Sequence, residues 1–132
     1  MKSSLSRVLP LLLLLTAVNA SAKDNSAAHI YSDVHYEEGG TGDLIGTELE
    51  LKIAGSAATG VVRIYDGRCA EAVPVSGSFS GNAIHVSGEG QGYGKFEITA
   101  NFHRGGLEGS LRLERTHSSE KIHLKKIKKA HC

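Results

Sequence analysis

The sequence predicts an all-β protein, an antiparallel up-and-down meander of about eight strands that closes into a small barrel. After residue 22, apolar and polar residues alternate with a period of two in several runs, and few long windows carry a helical period. Glycine-rich breaks separate these runs. Because the breaks are short, neighbouring strands must run antiparallel. A two-layer β-sandwich is the alternative arrangement that would bury the apolar face.

The first 22 residues are typical of a secretory signal peptide. Lys2 and Arg7 accompany a long apolar run, after which small residues offer cleavage after Ala20 or Ala22. The run is shorter than the roughly 20 residues that a membrane-spanning helix needs, so we expect no transmembrane anchor. We therefore predict a signal peptide over residues 1–22, a single β-barrel-like domain over residues 23–132, and a periplasmic or secreted location.

Charge is balanced overall but unevenly distributed. Removal of Lys2 and Arg7 from the 15 basic residues leaves 13 against 14 acidic residues, a net charge of −1, which argues against nucleic acid as a partner. Seven acidic residues and one basic residue lie in 23–50, whereas eight basic and three acidic residues lie in 101–132. In an even-numbered up-and-down barrel the first and last strands are neighbours. Opposite charges on them therefore favour closure and help to set the register.

Cys69 and Cys132 both lie in the predicted exported domain. Two thiols in an oxidising compartment usually pair, so we predict a disulfide between them. The bridge would close a loop of roughly 60 residues and contribute about 4 kcal/mol in the chain-entropy model. If it stayed reduced, Cys69 could act as a nucleophile beside His85 or His103.

The alternation predicts strands near 29–38, 44–54, 60–66, 69–76, 82–87, 93–103, 107–115 and 120–128. The clearest run places Phe96, Ile98, Ala100 and Phe102 on one face, which we expect to be the core face. Residues 43–53 and 107–115 repeat the pattern, with Glu48 expected on the solvent side. The dipeptide Asp66-Gly67 predicts a tight hairpin, because glycine adopts the positive φ that such turns require.

The run HIYSDVHYEEGG, residues 29–40, contains two histidines, two tyrosines and three carboxylates in twelve positions. Alternation predicts that Ile30, Ser32, Val34 and Tyr36 face the core, and that Tyr31, Asp33 and His35 face outward. His35 with Asp33 or Glu37 supplies at most two metal ligands from one strand, so a site would need His117 or His123 as well. We expect a solvated strand edge, no metal and no cofactor, with a metal-dependent enzyme as the alternative.

Two further segments could contact a ligand. The segment Gly88–Gly94 lacks the spacing of a dinucleotide-binding loop. We predict a flexible hairpin loop there, with Gly88, Gly90, Gly92 and Tyr93 as a possible ligand loop over a barrel mouth. The lysine-rich segment 121–129 should be a solvated strand edge, and it could weakly attract an anionic lipid or polysaccharide.

Residues 31–36, YSDVHY, and 42–49, GDLIGTEL, resemble a group of small secreted bacterial β-rich proteins, as do the later segments Val75–Gly77 and Leu107–Gly109. This resemblance implies an exported β-rich domain and no particular activity. The barrel shape is similar to that of lipocalin-like and avidin-like proteins. The chain has no tryptophan, however, and so lacks the Gly-x-Trp motif of lipocalins.

From these observations we expect a non-enzymatic binding domain. Its partner would be a periplasmic or secreted protein or a small apolar ligand, held by loops at one end of the barrel. A metal-dependent enzyme and a structural envelope protein are the alternatives.

Overall fold

The structure is a computed structural model that describes residues 27–39 and 42–132. The predicted signal peptide, residues 1–22, lies outside the described residues. The described part of the chain forms nine β-strands: β1 (His29–Ser32), β2 (His35–Tyr36), β3 (Leu44–Ala54), β4 (Ala57–Gly67), β5 (Val73–Ser80), β6 (Ala83–Gly90), β7 (Gly94–His103), β8 (Gly106–Leu113) and β9 (Ser118–Ile127).

The strands form one antiparallel sheet in which consecutive strands β3 to β9 are neighbours. β1 pairs with both β3 and β9, and this double pairing closes eight strands into a barrel, with β2 as an additional short strand. The predicted closed antiparallel meander is therefore confirmed.

Strands β1 and β2 both pair with β3, and they do so in the same register. β2 is therefore a continuation of β1 after a short interruption. The interruption lies at Asp33. Its N–H donates to the Thr47 carbonyl at 3.1 Å, and its side-chain Oδ1 accepts the Thr47 N–H at 2.7 Å. Gly46 permits this approach, because a Cβ there would lie 2.6 Å from the same Oδ1. The Asp33 side chain thus replaces one backbone bond of the ladder.

Apolar side chains fill the inside of the barrel as a single buried cluster. The inward faces predicted for residues 43–53, 95–103 and 107–115 are confirmed by the burial of Leu49, Ile98 and Leu111. Near one end, the Phe102 ring makes edge contacts with both Tyr31 and Phe79, each with ring centroids 5.9 Å apart.

Tyr93 packs against Phe96 near the other end of the barrel, with ring centroids 5.5 Å apart. Phe102 and Tyr93 lie near opposite ends of the barrel because consecutive hairpin turns of an up-and-down meander alternate between the two ends. Aromatic rings therefore pack near both ends of the buried cluster.

The faces predicted for residues 30–32 are wrong, although Val34 is buried and His35 is exposed as predicted. Tyr31 was expected outside, but it lies opposite Leu49 in the register and is 6% exposed within the core. Ser32 was expected inside but is on the outer face, opposite Glu48. A register shift of one residue exchanges the two faces of a strand, and short polar runs specify their register weakly.

The connection between β4 and β5 also differs from the prediction. β4 continues to Gly67 and β5 begins at Val73, so Asp66-Gly67 ends a strand and is not a two-residue hairpin turn. The intervening loop contains Cys69, which the disulfide holds. The predicted strand over residues 69–76 is consequently displaced to Val73–Ser80.

The predicted neighbourhood of the first and last strands is confirmed, but their charges do not pair across it. Lys125 lies opposite Ser32, and Lys126 lies opposite Tyr31. Glu48 and Glu50 instead face Arg63 of β4, at 3.9 and 3.4 Å. Backbone pairing therefore closes the barrel without opposed charges on the closing strands.

Candidate binding surface

Strand β9 presents a row of basic side chains on the outer wall of the barrel. Ile122 and Leu124 point into the core, so the alternate residues Lys121, His123 and Lys125 point outward and are exposed. Strand β8 pairs with residues 118–125 of β9 and β1 pairs with residues 125–127, so Lys125 is paired on both sides whereas Lys121 and His123 are paired with β8 alone.

Glu108 of β8 lies between two histidines on this wall. Its Oε2 is 3.4 Å from Nδ1 of His123, which is its cross-strand partner, and 3.7 Å from Nε2 of His103 on β7. All three side chains are about half exposed. No pattern in the sequence predicts that these three side chains are neighbours, because their proximity depends on the register of β7, β8 and β9 in the folded sheet.

Three clefts surround His123 on the outer wall. One of about 650 Å³ lies towards Asn101 and Lys121, and another of about 640 Å³ lies towards Arg104 and Lys126. The third, of about 400 Å³, lies towards Ser32 and His131. All three clefts are bordered by His123, and we call the three together the β9 groove.

The β9 groove is strongly basic. Arg104, Lys121, Lys125 and Lys126 line it, against the carboxylates of Glu108 and Asp33. None of these four bases takes part in the ion pairs seen within residues 27–39 and 42–132, several of which use Arg63, Arg112 or a histidine. The Thr47 amide that donates to Asp33 is neutral and does not cancel the charge of a carboxylate, so four basic side chains face two carboxylates here. The groove therefore carries positive charge that the described carboxylates do not neutralise.

The C-terminal segment 128–132, which we call the strap, leaves β9 and crosses the outer wall over β1 and β3. At its end His131 donates from its backbone N–H to Oε1 of Glu48 at 3.2 Å and from Nδ1 to Oε2 at 2.6 Å. Tyr65 of β4 adds a hydrogen bond of 3.1 Å to the same carboxylate. The strap thus forms one side of the β9 groove through His131.

Glu48 was expected to be solvated, but it is 0% exposed, although it lies on the outer face. Burial raises the pKa of its carboxyl, and hydrogen bonds from His131, Ser32 and Tyr65 lower it by more, so the pKa is below its ordinary value. Burial and the neighbouring Glu48 charge raise the pKa of Tyr65. Glu48 is therefore ionised beneath the strap.

The predicted disulfide is confirmed. Cys69 and Cys132 are bonded with their Cα atoms 5.8 Å apart, and the described residues contain no free cysteine. The bridge ties the end of the strap to the β4–β5 loop, so the strap is anchored at both its ends.

The ionisable side chains of the first strand do not converge. His35 Nδ1 donates to the Asp33 carbonyl at 3.0 Å, and the Glu37 amide donates to the Asp43 carbonyl at 2.8 Å. His117 lies in the β8–β9 turn and His123 lies in β9. Within the part of the chain that the structure describes, no three His, Cys, Asp or Glu side chains are placed to hold one metal ion.

The possible ligand loop divides between a strand and a turn. Gly88 and Gly90 lie in β6, whereas Gly92 and Tyr93 belong to the three-residue turn before β7. A Cβ on Gly90 would lie 2.6 Å from the Tyr93 ring, so glycine allows the ring to fold over this end of the barrel. Burial, followed by the charges of Glu71 and Asp66, raises the pKa of Tyr93.

Comparisons with protein-family models, with curated proteins and with solved structures return no match for the chain. The structure itself defines the class, a small closed antiparallel β-barrel with one disulfide. Among the described residues, no helix is long and apolar enough to cross a membrane.

Proposed function

We propose that the protein is an exported, non-enzymatic binding domain whose partner docks on the outer wall of the barrel. The observation that carries this proposal is the contrast between a packed interior and a group of adjoining, charged clefts on the outer wall. Loops and walls on a rigid scaffold are common binding surfaces, and concave surfaces with a few convergent polar groups are favoured.

The packed interior weighs against a small apolar ligand inside the barrel. An eight-stranded barrel is just wide enough for its own side chains or for one small ligand. Here the buried cluster runs through the interior, and Phe102 and Tyr93 lie near opposite ends. A ligand inside would have to displace these rings, whereas a partner on the outer wall displaces water.

Export is supported by the disulfide, because such bonds persist in oxidising compartments such as the periplasm or the extracellular space. The signal-like residues 1–22 and the resemblance to small secreted bacterial proteins favour the same location. An adhesive or envelope-associated role would use the same outer surface.

Site-specific photo-crosslinking in the exporting cell tests this proposal. A photoreactive amino acid at Ser110, which lines the β9 groove, should capture a partner. The same amino acid at Thr59, exposed on the outer face of β4, is the matched control and should capture much less. Equal capture at both positions would contradict the proposal, as would tight binding of a fatty acid or another apolar probe to the folded barrel.

A further inference from the structure

We infer that the ligand of the β9 groove is a linear acidic glycan, a sugar chain that carries carboxylate or sulfate groups at regular intervals. This inference rests on the proposed function and adds the chemical class of the partner. It is carried by the spacing of the outward bases, by their lack of acidic partners and by the shape of the surface.

The bases of β9 are arranged in a line. Lys121, His123 and Lys125 are alternate residues of one strand, so they follow one another at intervals of roughly 6.8 Å along the wall. Arg104 and Lys126 extend the charge at the end of the groove where the β7–β8 turn lies. A chain with repeated negative charges can contact several of these bases at once, whereas a compact anion would contact one or two.

These bases are also free to receive a new counter-charge. In the described residues, Lys121, Lys125 and Lys126 take part in none of the ion pairs. Glu108 is the carboxylate at the middle of the groove, where the clefts meet. A bound polyanion would therefore gain attraction from these lysines without first breaking an ion pair, whereas His123 already faces Glu108, and the carboxylates of Glu108 and Asp33 would repel the polyanion.

The shape of the surface favours a chain over a flat membrane. The bases line three adjoining clefts around His123 on the outer wall of the barrel, a curved surface that a planar array of lipid headgroups would contact only in part. Polar side chains also lie beside the charges, among them Asn101 and Ser110. Amide and hydroxyl groups suit the hydroxyl groups of a sugar, since both can donate and accept hydrogen bonds.

Binding of a defined oligouronate to the purified oxidised protein, measured by isothermal titration calorimetry at low salt, tests the inference. The variant K121Q/K125Q should bind about tenfold more weakly or worse, because each base near an anionic surface contributes substantially. The matched control R68Q/K95Q removes the same charge from exposed sites outside the groove and should change affinity by less than about twofold. Equal losses in both variants would show that the attraction is non-specific and would overturn the inference.

The substitution E108Q provides a test in which the expected result is stronger binding, which a misfolded variant would not show. Removing the carboxylate from the middle of the groove should strengthen oligouronate binding by about threefold, since it removes repulsion at a distance of several ångströms. Unchanged or weaker binding by folded E108Q would contradict the proposed path of the chain through the groove.

Two further probes separate this inference from the proposed function. Neutral dextrin of the same length should not bind, and vesicles of phosphatidylglycerol should bind more weakly than the oligouronate. If the vesicles bind more tightly, or if no acidic glycan binds while Ser110 still crosslinks to a protein, the glycan inference fails and the outer-wall function stands. If neither crosslinking nor glycan binding occurs at the groove, both fail.

Discussion

Tyr65 donates a hydrogen bond of 3.1 Å to Glu48 on the outer face of the barrel wall, and the two side chains are 2% and 0% exposed. Outward-facing residues of a small barrel normally meet water. Here the strap excludes it, and His131 supplies two more hydrogen bonds to the same carboxylate. A buried carboxylate with this many donors is stabilising only as long as the donors stay in place.

The substitution Glu48→Gln should therefore lower the free energy of unfolding by about 1 to 3 kcal/mol at neutral pH, because it removes the charge that these donors face. Urea denaturation followed by circular dichroism measures the change. Glu50→Gln is the control, since Glu50 is on the same strand and pairs with Arg63 but is partly exposed. It should cost less than about 1 kcal/mol.

The stabilisation by Glu48 should also depend on pH. Because its pKa in the folded protein is below the ordinary value of 4.5, the ionised carboxylate contributes stability that is fully present above that pH. The contribution is lost as the pH falls through the folded pKa. We expect the difference in stability between the wild type and Glu48→Gln to be greatest near neutral pH and to shrink below pH 4.5. A difference that is constant from pH 7 to pH 3 would show that the charge is not responsible.

Loss of the disulfide should destabilise the barrel. Cys132→Ser should lower the free energy of unfolding by roughly 2 to 4 kcal/mol, because the bond spans a separation of 63 residues and fixes the strap. The oxidised wild type should show no alkylatable thiol after denaturation, and the variant should show one. A variant as stable as the wild type would mean that the hydrogen bonds of His131 hold the strap without the covalent bond.

Two tyrosines test the face of the first strand. Tyr31→Ala should cost roughly 3 kcal/mol or more, since it removes a buried ring that contacts Phe102. Tyr36→Ala should be nearly neutral, because Tyr36 is 67% exposed. Thermal unfolding of the two variants compares the same substitution a few residues apart. Equal costs, or a larger cost at Tyr36, would contradict the register of β1 against β3.

The substitutions Gly109→Ala and Gly92→Ala are a second matched pair, and they test how closely the strands approach each other at Gly109. A Cβ on Gly109 would clash with the backbone carbonyl oxygen of Thr99, so Gly109→Ala must move the backbone of β7 or β8 and should cost about 1 to 3 kcal/mol. Gly92 has nothing within 4 Å of the corresponding position, and Gly92→Ala should change stability by less than about 0.5 kcal/mol. Chemical denaturation distinguishes them, and a harmless Gly109→Ala would mean that the strands can separate easily there.

Much of the fold could be predicted because its signals are local. The alternation in residues 43–53 requires β3 to bury Leu49 and Leu51, whatever the partner strands are. Glycine-containing turns then force antiparallel neighbours, and an apolar face of this length has to be hidden by closure or by a second layer. The disulfide could be predicted equally directly, because two cysteines in a chain that is predicted to be exported allow one pairing.

The remaining features depend on contacts between distant residues. The outer position of Glu48 was predicted correctly, but its burial depends on His131, which is 83 residues away in the chain. The inward position of Tyr31 depends on which residue of β3 it faces, and no pattern in a polar four-residue strand specifies that. The β9 groove likewise needs the register of β7, β8 and β9 before His103, Glu108 and His123 can be seen as neighbours.

The strap also affects how the molecule behaves at high concentration. β1 closes the barrel through a seam of three residue pairs with β9, between Ile30 and Ile127 and their neighbours. If that seam opened, two strand edges would present unpaired N–H and C=O groups, which readily pair with another chain. The strap crosses the seam and is tied by Cys132 to the far side of β3, so it opposes the opening mechanically. We therefore expect residues 128–132 to disfavour domain swapping and aggregation.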